Sequence, residues 1–240
     1  MHKKENKISV ICVQDNNFDN LEIRLDNIKN QRYVNEVFIV SNKDKEIEGQ
    51  CLNTKYPEIR IYFKSEFDSL IETINQSIKE IKNEFFVILD SSEYFYEDSF
   101  SLFLDGFSFD NGVALVYGNS ISIDTQQNFL GFNITSPPER FLENLKNISG
   151  ITPGSFLLRK SLFKKLGFLD KKFKHYYLLE FLVKVFGNYL KCIKFTPNVN
   201  IYKYVCENDL DKFINLEKNL ELLELAINTS NDMNLDVVTK

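Results

Sequence analysis

Tryptophan is absent from this chain of 240 residues, histidine occurs twice and cysteine four times. The cysteines, Cys12, Cys51, Cys192 and Cys206, are scattered with no C-x-x-C pair. That distribution suits neither a zinc site nor a disulfide framework and reads as reduced thiols. His2 lies in a polar N-terminal stretch, and His175 has no G-x-S-x-G elbow to work with, so a histidine-based triad is not indicated. A G-x-x-x-x-G-K-[ST] loop is missing, as is a G-x-G-x-x-G after the first apolar run, which argues against P-loop chemistry and the common dinucleotide fingerprint. No apolar run approaches the roughly 18 residues of a membrane span. The basic start MHKKENK leads into a strand-length run rather than a leader. A net charge of −5 argues against a dominant electrostatic pull toward nucleic acid or anionic lipid. The expectation is a cytoplasmic protein without a membrane span, whose substrate can still sit at the inner face of a membrane. The sequons at Asn133, Asn147 and Asn228 then read as chance in an asparagine-rich chain.

What the chain does have is apolar material, 43% of its residues including 22 Phe, enough for a continuous core. Its first hundred residues alternate regularly. Short β-branched runs at Ile8–Val13, Glu36–Ser41, Ile59–Phe63 and Phe85–Asp90 read as strands. Between them, Leu21, Leu25 and Ile28 recur at helical spacing, and so do Leu70, Ile74, Ile78 and Ile81. Strands alternating with helices predict right-handed βαβ units and a parallel sheet covered on both faces. The second half is less regular. A strand with a glycine break is expected over Gly112–Asp124, another in GITPGSFLLRK, and a helix in YYLLEFLVKVFG ending at Gly187. YLKCIKF returns to strand, and NDLDKFINLEKNLELLELAI, from Asn208 to Ile227, is an amphipathic helix.

Several residues fall in an order that resembles family-2-type glycosyltransferases of the GT-A fold, over roughly residues 7 to 203. ISVICVQDNN supplies a first strand and Asn16, NIKNQRYVNEVFIV supplies Gln31 and Tyr33 before the second strand, and FFVILD ends in Leu89-Asp90. Asn75 matches an Asn on the helix after the third strand. GSFLLRKSLFKKLGFLDKKF supplies Gly154, Arg159, Gly167, Phe168, Asp170 and Phe173 in sequence. The resemblance implies a three-layer α/β/α sandwich with a mostly parallel central sheet, here with a C-terminal amphipathic helix. It divides the chain into a GT-A-like domain at 1–206 and a helix with polar tail at 207–240. Within the domain a nucleotide-binding half covers about 7–110 and an acceptor half about 111–206.

The same resemblance implies the chemistry: a sugar moves from a nucleotide-diphospho-sugar to a glycan or lipid-linked acceptor, in surface polysaccharide or glycoconjugate synthesis. Charge left on the diphosphate needs a divalent cation, Mn2+ or Mg2+, or cationic side chains. The metal motif Asp-x-Asp stands as Asp90-Ser91-Ser92, and Glu93, where many relatives keep a third acid, is the further candidate to assist Asp90 at the metal. Asn16, Ser41, Asn42, Asn75, Asp90 and Ser92 are the nucleotide-side candidates. Ser41-Asn42 stand where the family keeps two acids, and Asn75-Gln76-Ser77 where it keeps Asn-x-Gly. Leu178 occupies the position of the family's base, leaving Glu180 as the candidate to take the acceptor's proton. A second reading stays open: a GT-A domain that has lost catalysis and serves as scaffold or partner of an active transferase, through the helix at Asn208–Ile227. A third is an unrelated doubly wound binder of small molecules.

Overall fold

Strand β1 (Ile8–Gln14) is buried at all seven positions, because it runs through the middle of a sheet covered on both faces. The structure is a computed structural model that describes residues 7–14, 21–41, 55–57, 60–65, 69–108, 112–142, 151–205, 221 and 224. β1 pairs in parallel with β2 (Val34–Ser41) on one side and with β4 (Phe85–Leu89) on the other. β3 (Arg60–Ser65) extends the parallel set beyond β2. Helices α1 (Leu21–Lys29) and α2 (Leu70–Glu80) follow β1 and β3. Ser69 caps α2, its hydroxyl accepting from the Glu72 N–H at 3.2 Å, the usual way to satisfy an orphan donor at a helix start.

Side-chain alternation along β1 divides the core into two layers. Ile11 and Val13 join Ile71, Ile74 and Ile78 of α2 and the apolar face of α6 (Tyr177–Tyr189). Val10 and Cys12 meet Leu25 and Ile28 of α1, with Phe100 and Phe103 of α3 (Ser99–Ser108). Helices therefore cover both faces of the sheet, as the βαβ pattern requires.

Past β4 the sheet becomes mixed. β8 (Phe156–Arg159) is antiparallel to both β4 and β6 (Leu115–Ile123), while β9 (Ile193–Tyr204) runs parallel to β6. Two short strands complete it: β5 (Glu93–Phe95), antiparallel to β9, and β7 (Phe129–Asn133), antiparallel to β6. The order is β3-β2-β1-β4-β8-β6-β9-β5, with β7 on β6. The region 112–124 forms one strand, with a register irregularity against β9 next to Gly118. Gly118 is required there because a Cβ would collide with the Asn200 side chain. Helix α6 continues past Gly187 to Tyr189. A glycine inside a helix costs only about 1 kcal/mol, too little to end one that is buried along its apolar face.

Of the amphipathic helix expected over 208–227, only Glu221 and Glu224 are among the described residues. The Glu221 carboxylate accepts from the backbone N–H groups of Lys174, His175 and Tyr176 at 3.1, 2.9 and 3.3 Å, just ahead of α6. Glu224 pairs with Lys172. Among the described residues no helix is long and apolar enough to cross a membrane.

Candidate functional site

The strand order reverses direction at β1. β2 and β3 lie to one side of it and β4 to the other, which makes the carboxyl ends of β1 and β4 a topological switch point, the place where open α/β sheets bind ligands. Asp90 stands there, immediately after β4, and a tight turn carries the chain into β5, closed by the Glu93 N–H donating to the Asp90 carbonyl at 3.0 Å.

Three sets of contacts fix this turn. From below, the Glu93 carboxylate is fully buried, and its Oε2 accepts from the Asp90 N–H at 3.0 Å and the Gly154 N–H at 2.8 Å. Gly154 permits the approach, since a Cβ there would come within 2.9 Å of Glu93 Oε2, Leu89 Cδ1 and Ile201 Cδ1. From the side, one stripe of α1 reads the backbone of the turn and of β5. Arg24 Nη2 donates to the Asp90 carbonyl at 2.7 Å. Asn27 both donates to the Phe95 carbonyl (2.9 Å) and accepts from its N–H (2.7 Å), and Gln31 donates to the Tyr96 carbonyl at 2.9 Å. Arg24 and Asn27, three apart, share one face of α1, and Gln31 follows just past the end of the helix. From the far end of the chain, the Tyr204 N–H donates to the Ser92 carbonyl at 2.8 Å.

Arg24 also ties the two central strands together. It is completely buried, with Nη1 on the Val13 carbonyl at 2.8 Å and Nη2 reaching the Leu89 carbonyl at 3.3 Å. Among the described residues its hydrogen-bond partners are main-chain carbonyls and the Gln14 side-chain oxygen at 3.4 Å. A guanidinium held this way leaves positive charge under the switch point, where an anionic group is stabilised in a low-dielectric setting.

The electrostatics of the turn follow from burial. Loss of water, with the Asp90 charge adding to it, pushes the Glu93 carboxyl up to about 8, against smaller opposing effects from Lys203 and the two backbone N–H groups. Glu93 Oε1 lacks a hydrogen-bond partner, as suits a group that carries a proton at neutral pH. Asp90 is part-exposed, its Oδ1 accepting from the Ser91 N–H at 2.7 Å. The α6 side chain that feels these two acids is Tyr177: burial raises its hydroxyl first, then Asp90 and Glu93.

The expected site residues separate into groups. Asp90, Ser92 and Glu93 share one turn, with Glu93 directed inward as a brace rather than outward. Ser41 ends β2 and is in register with Gln14 at the end of β1, whereas Asn16 and Asn42 lie outside the described residues. The Asn75 amide is occupied on both sides by the backbone of Leu169, donating to its carbonyl at 2.8 Å and accepting from its N–H at 3.0 Å. It thus pins the Gly167–Asp170 corner to α2. Glu180 lies in the first turn of α6, nine-tenths buried, with Oε1 paired to Lys184 one turn on and Oε2 unpartnered. Burial raises its carboxyl, and the pairing with Lys184 partly offsets this. Leu178 is packed in the core. Among the described residues no three His, Cys, Asp or Glu side chains cluster as a metal cage. Arg24, Asn27 and Tyr177 were not singled out from sequence; the polar stripe of α1 was the available signal.

Residues 9–167 match the model of glycosyl transferase family 2. The chain belongs to that family. An uncharacterized glycosyltransferase of Rickettsia typhi is 27% identical over 176 residues, which are 70% of this chain, and the chain spans 55% of that relative's length. TarS residues 1–349 of S. aureus superimpose with a TM-score of 0.65 at 16% identity, covering 96% of this chain and 75% of that one. A mannosyltransferase of Pyrobaculum calidifontis, in complex with GDP-Man and Mn2+, gives 0.66 at 15% identity, covering 99% and 67%. At these identities the structural likeness concerns the fold, and that fold is the GT-A type of family 2. Gln31, Gly154 and Asn75, matched to the family by order alone, prove to be the latch on β5, the clearance for Glu93 and the clamp on Leu169 of this family 2 chain.

Proposed function

We propose that this family 2 chain transfers a glycosyl group from a nucleotide-diphospho-sugar to a hydroxyl of a glycan or lipid-linked acceptor. The observation that carries the proposal is the Asp90 turn, held rigid at the switch point between β1 and β4 with the buried charge of Arg24 beneath it. Support also comes from solved structures of the same fold that contain UDP, UDP-GlcNAc or GDP-Man.

In this reading the donor's diphosphate lies over the Asp90 turn. Asp90 offers one part-exposed carboxylate, and a divalent ion in such sites is commonly held by one or two carboxylates plus substrate phosphates, so the residues fit Mn2+ or Mg2+ with Asp90 as its protein ligand. When bound, the ion neutralises charge developing on the departing diphosphate. Arg24 supports the same charge through the carbonyls it gathers, and Ser92 borders the phosphate. We assign Asn16, Ser41 and Asn42 to the nucleoside. The bond from the anomeric carbon to the phosphate oxygen breaks as the acceptor oxygen bonds to that carbon, and the acceptor's proton passes to Glu180. A carboxyl raised by burial is suited to accept a proton near neutral pH. Surface polysaccharide or glycoconjugate is the acceptor class we assign.

Calorimetric titration with UDP- and GDP-sugars, with and without Mn2+, tests the donor assignment. Metal-dependent binding that Asp90→Ala weakens at least about tenfold, near 1.4 kcal/mol, is the expected result. Absence of binding across the panel sinks it. Leu178 in the core, at the position of the family's base, supports a second reading in which the chain binds donor without transferring it. Donor binding with no product formed, and no change on Glu180→Gln, selects that reading.

A further inference from the structure

The far end of the sheet carries large apolar side chains on its outer face. Tyr94 of β5 stands opposite Tyr202 of β9, Tyr202 beside Ile121 of β6, and Ile121 opposite Phe132 of β7. Paired residues share a face, so these four form one row across four strands. Tyr204, Ile123 and Phe129 form the next row. Ring contacts run through both: Tyr94–Tyr204 at 5.0 Å, Tyr96–Tyr202 at 5.1 Å and Phe129–Phe132 at 4.9 Å. On the other face lie Glu93, Lys203, Ser120, Ser122 and Asn133, and the Asn133 amide donates to both serine hydroxyls. Phe95 and Ile201 share that inner face and lie in the core, whereas the outer face leaves large apolar side chains in solvent beyond the buried Ile123. Phe129, Leu130, Phe132 and Ile134 are each more than half exposed, Ile134 at 75%. Large apolar side chains concentrated in so short a segment mark an interaction surface.

Charge, shape and edge geometry select the occupant. No charged residue occurs from Thr125 to Pro138, so nothing in the segment draws it to a lipid headgroup, and the chain's net charge of −5 opposes an anionic membrane. The rings meet at 74°, 42° and 62° and offer no flat platform on which a sugar ring could stack. Among the described residues, no strand pairs with the outer edge of β7. Edges that avoid pairing usually carry a charge or a proline within the strand, and FLGFN has neither. An antiparallel edge is self-complementary about a two-fold axis. The four exposed side chains contribute roughly 500 Å² per copy, and the tyrosine rows and flanking backbone bring this toward the ~800 Å² per partner of a specific interface.

We propose that this face joins two copies of the chain, β7 pairing antiparallel with its counterpart and Phe132 and Ile134 at the centre. The inference does not depend on the donor assignment. Sedimentation equilibrium over a concentration series tests it, using wild type, a Phe132→Asp/Ile134→Asp double variant, and Ile23→Asp as a control at an exposed apolar site on α1. Wild type and control are expected at twice the 28.1 kDa monomer mass. The double variant is expected to dissociate at least about tenfold more readily, with an unchanged circular dichroism spectrum, since neither side chain is in the core. A wild type that stays monomeric at every concentration overturns the proposal, as does a double variant that dimerises like wild type. Wild-type monomers that float with phosphatidylcholine vesicles assign the face to lipid and equally overturn it.

Discussion

Glu93 has lost its water, and with Asp90 beside it its carboxyl rises to about 8, so near neutrality the folded protein keeps a proton there that the unfolded chain has released. The sign of the pH dependence follows. Raising the pH from the ordinary carboxylate range toward 8 removes stability, by at most about 1.4 kcal/mol per pH unit; below that range both states are protonated and the effect vanishes. Glu93→Gln fixes the neutral form, so its melting temperature should fall less than that of wild type between about pH 5 and about pH 8. Parallel slopes for the two proteins would place the titration elsewhere. The sequence located Asp90, Ser92 and Glu93 correctly in one turn. It did not say which way Glu93 points, because that depends on the Gly154 N–H, contributed by a segment far away in the chain.

Among the elements, α1 shows most clearly what was and was not legible. Its apolar spacing at Leu21, Leu25 and Ile28 predicted the helix and the face it buries. Arg24 and Asn27 sit at helical spacing on the same helix, yet polar positions on an amphipathic helix normally read as solvent-facing. Only the small strand β5 laid against them makes them a second buried face. Replacing Asn27 by Leu leaves both the N–H and the carbonyl of Phe95 unpaired. A loss of about 1–3 kcal/mol is expected, read in urea unfolding, with faster hydrogen exchange at the Phe95 amide. Exchange there as slow as in wild type would mean that β9 alone secures β5. Strand β5 itself is three residues long, too short to show a period, and β7 puts its apolar side chains outward, so neither had a recognisable pattern. Strands β1, β2 and β4 were legible because their centres are buried on both faces and spelled as apolar runs.

At the scale of the whole molecule, the chain's last described residues act on its middle. The Glu221 carboxylate collects three N–H groups ahead of α6, donors that a helix start leaves without intrahelical partners. Glu221→Ala removes this acceptor from all three N–H groups, and a loss of about 1–3 kcal/mol is expected, with Glu221→Gln falling between it and wild type. Equal stability of Glu221→Ala and wild type in urea would show that water replaces the carboxylate there. A tie of this kind has no local sequence signal, since nothing near Glu221 names its partners.

The Tyr204 N–H bond to the Ser92 carbonyl also sets an order of events during synthesis. Strands β1 to β4 are complete once the first ninety or so residues have emerged, but the Asp90 turn still lacks β9. At ribosomal speeds of roughly 5–20 residues per second, the turn waits on the order of ten seconds for its last hydrogen bonds. Through that interval the turn lacks this tie, and the core face that β8 and α6 later cover is still open. A ribosome stalled before β9 would therefore display a chain whose Asp90 turn is not yet tied down.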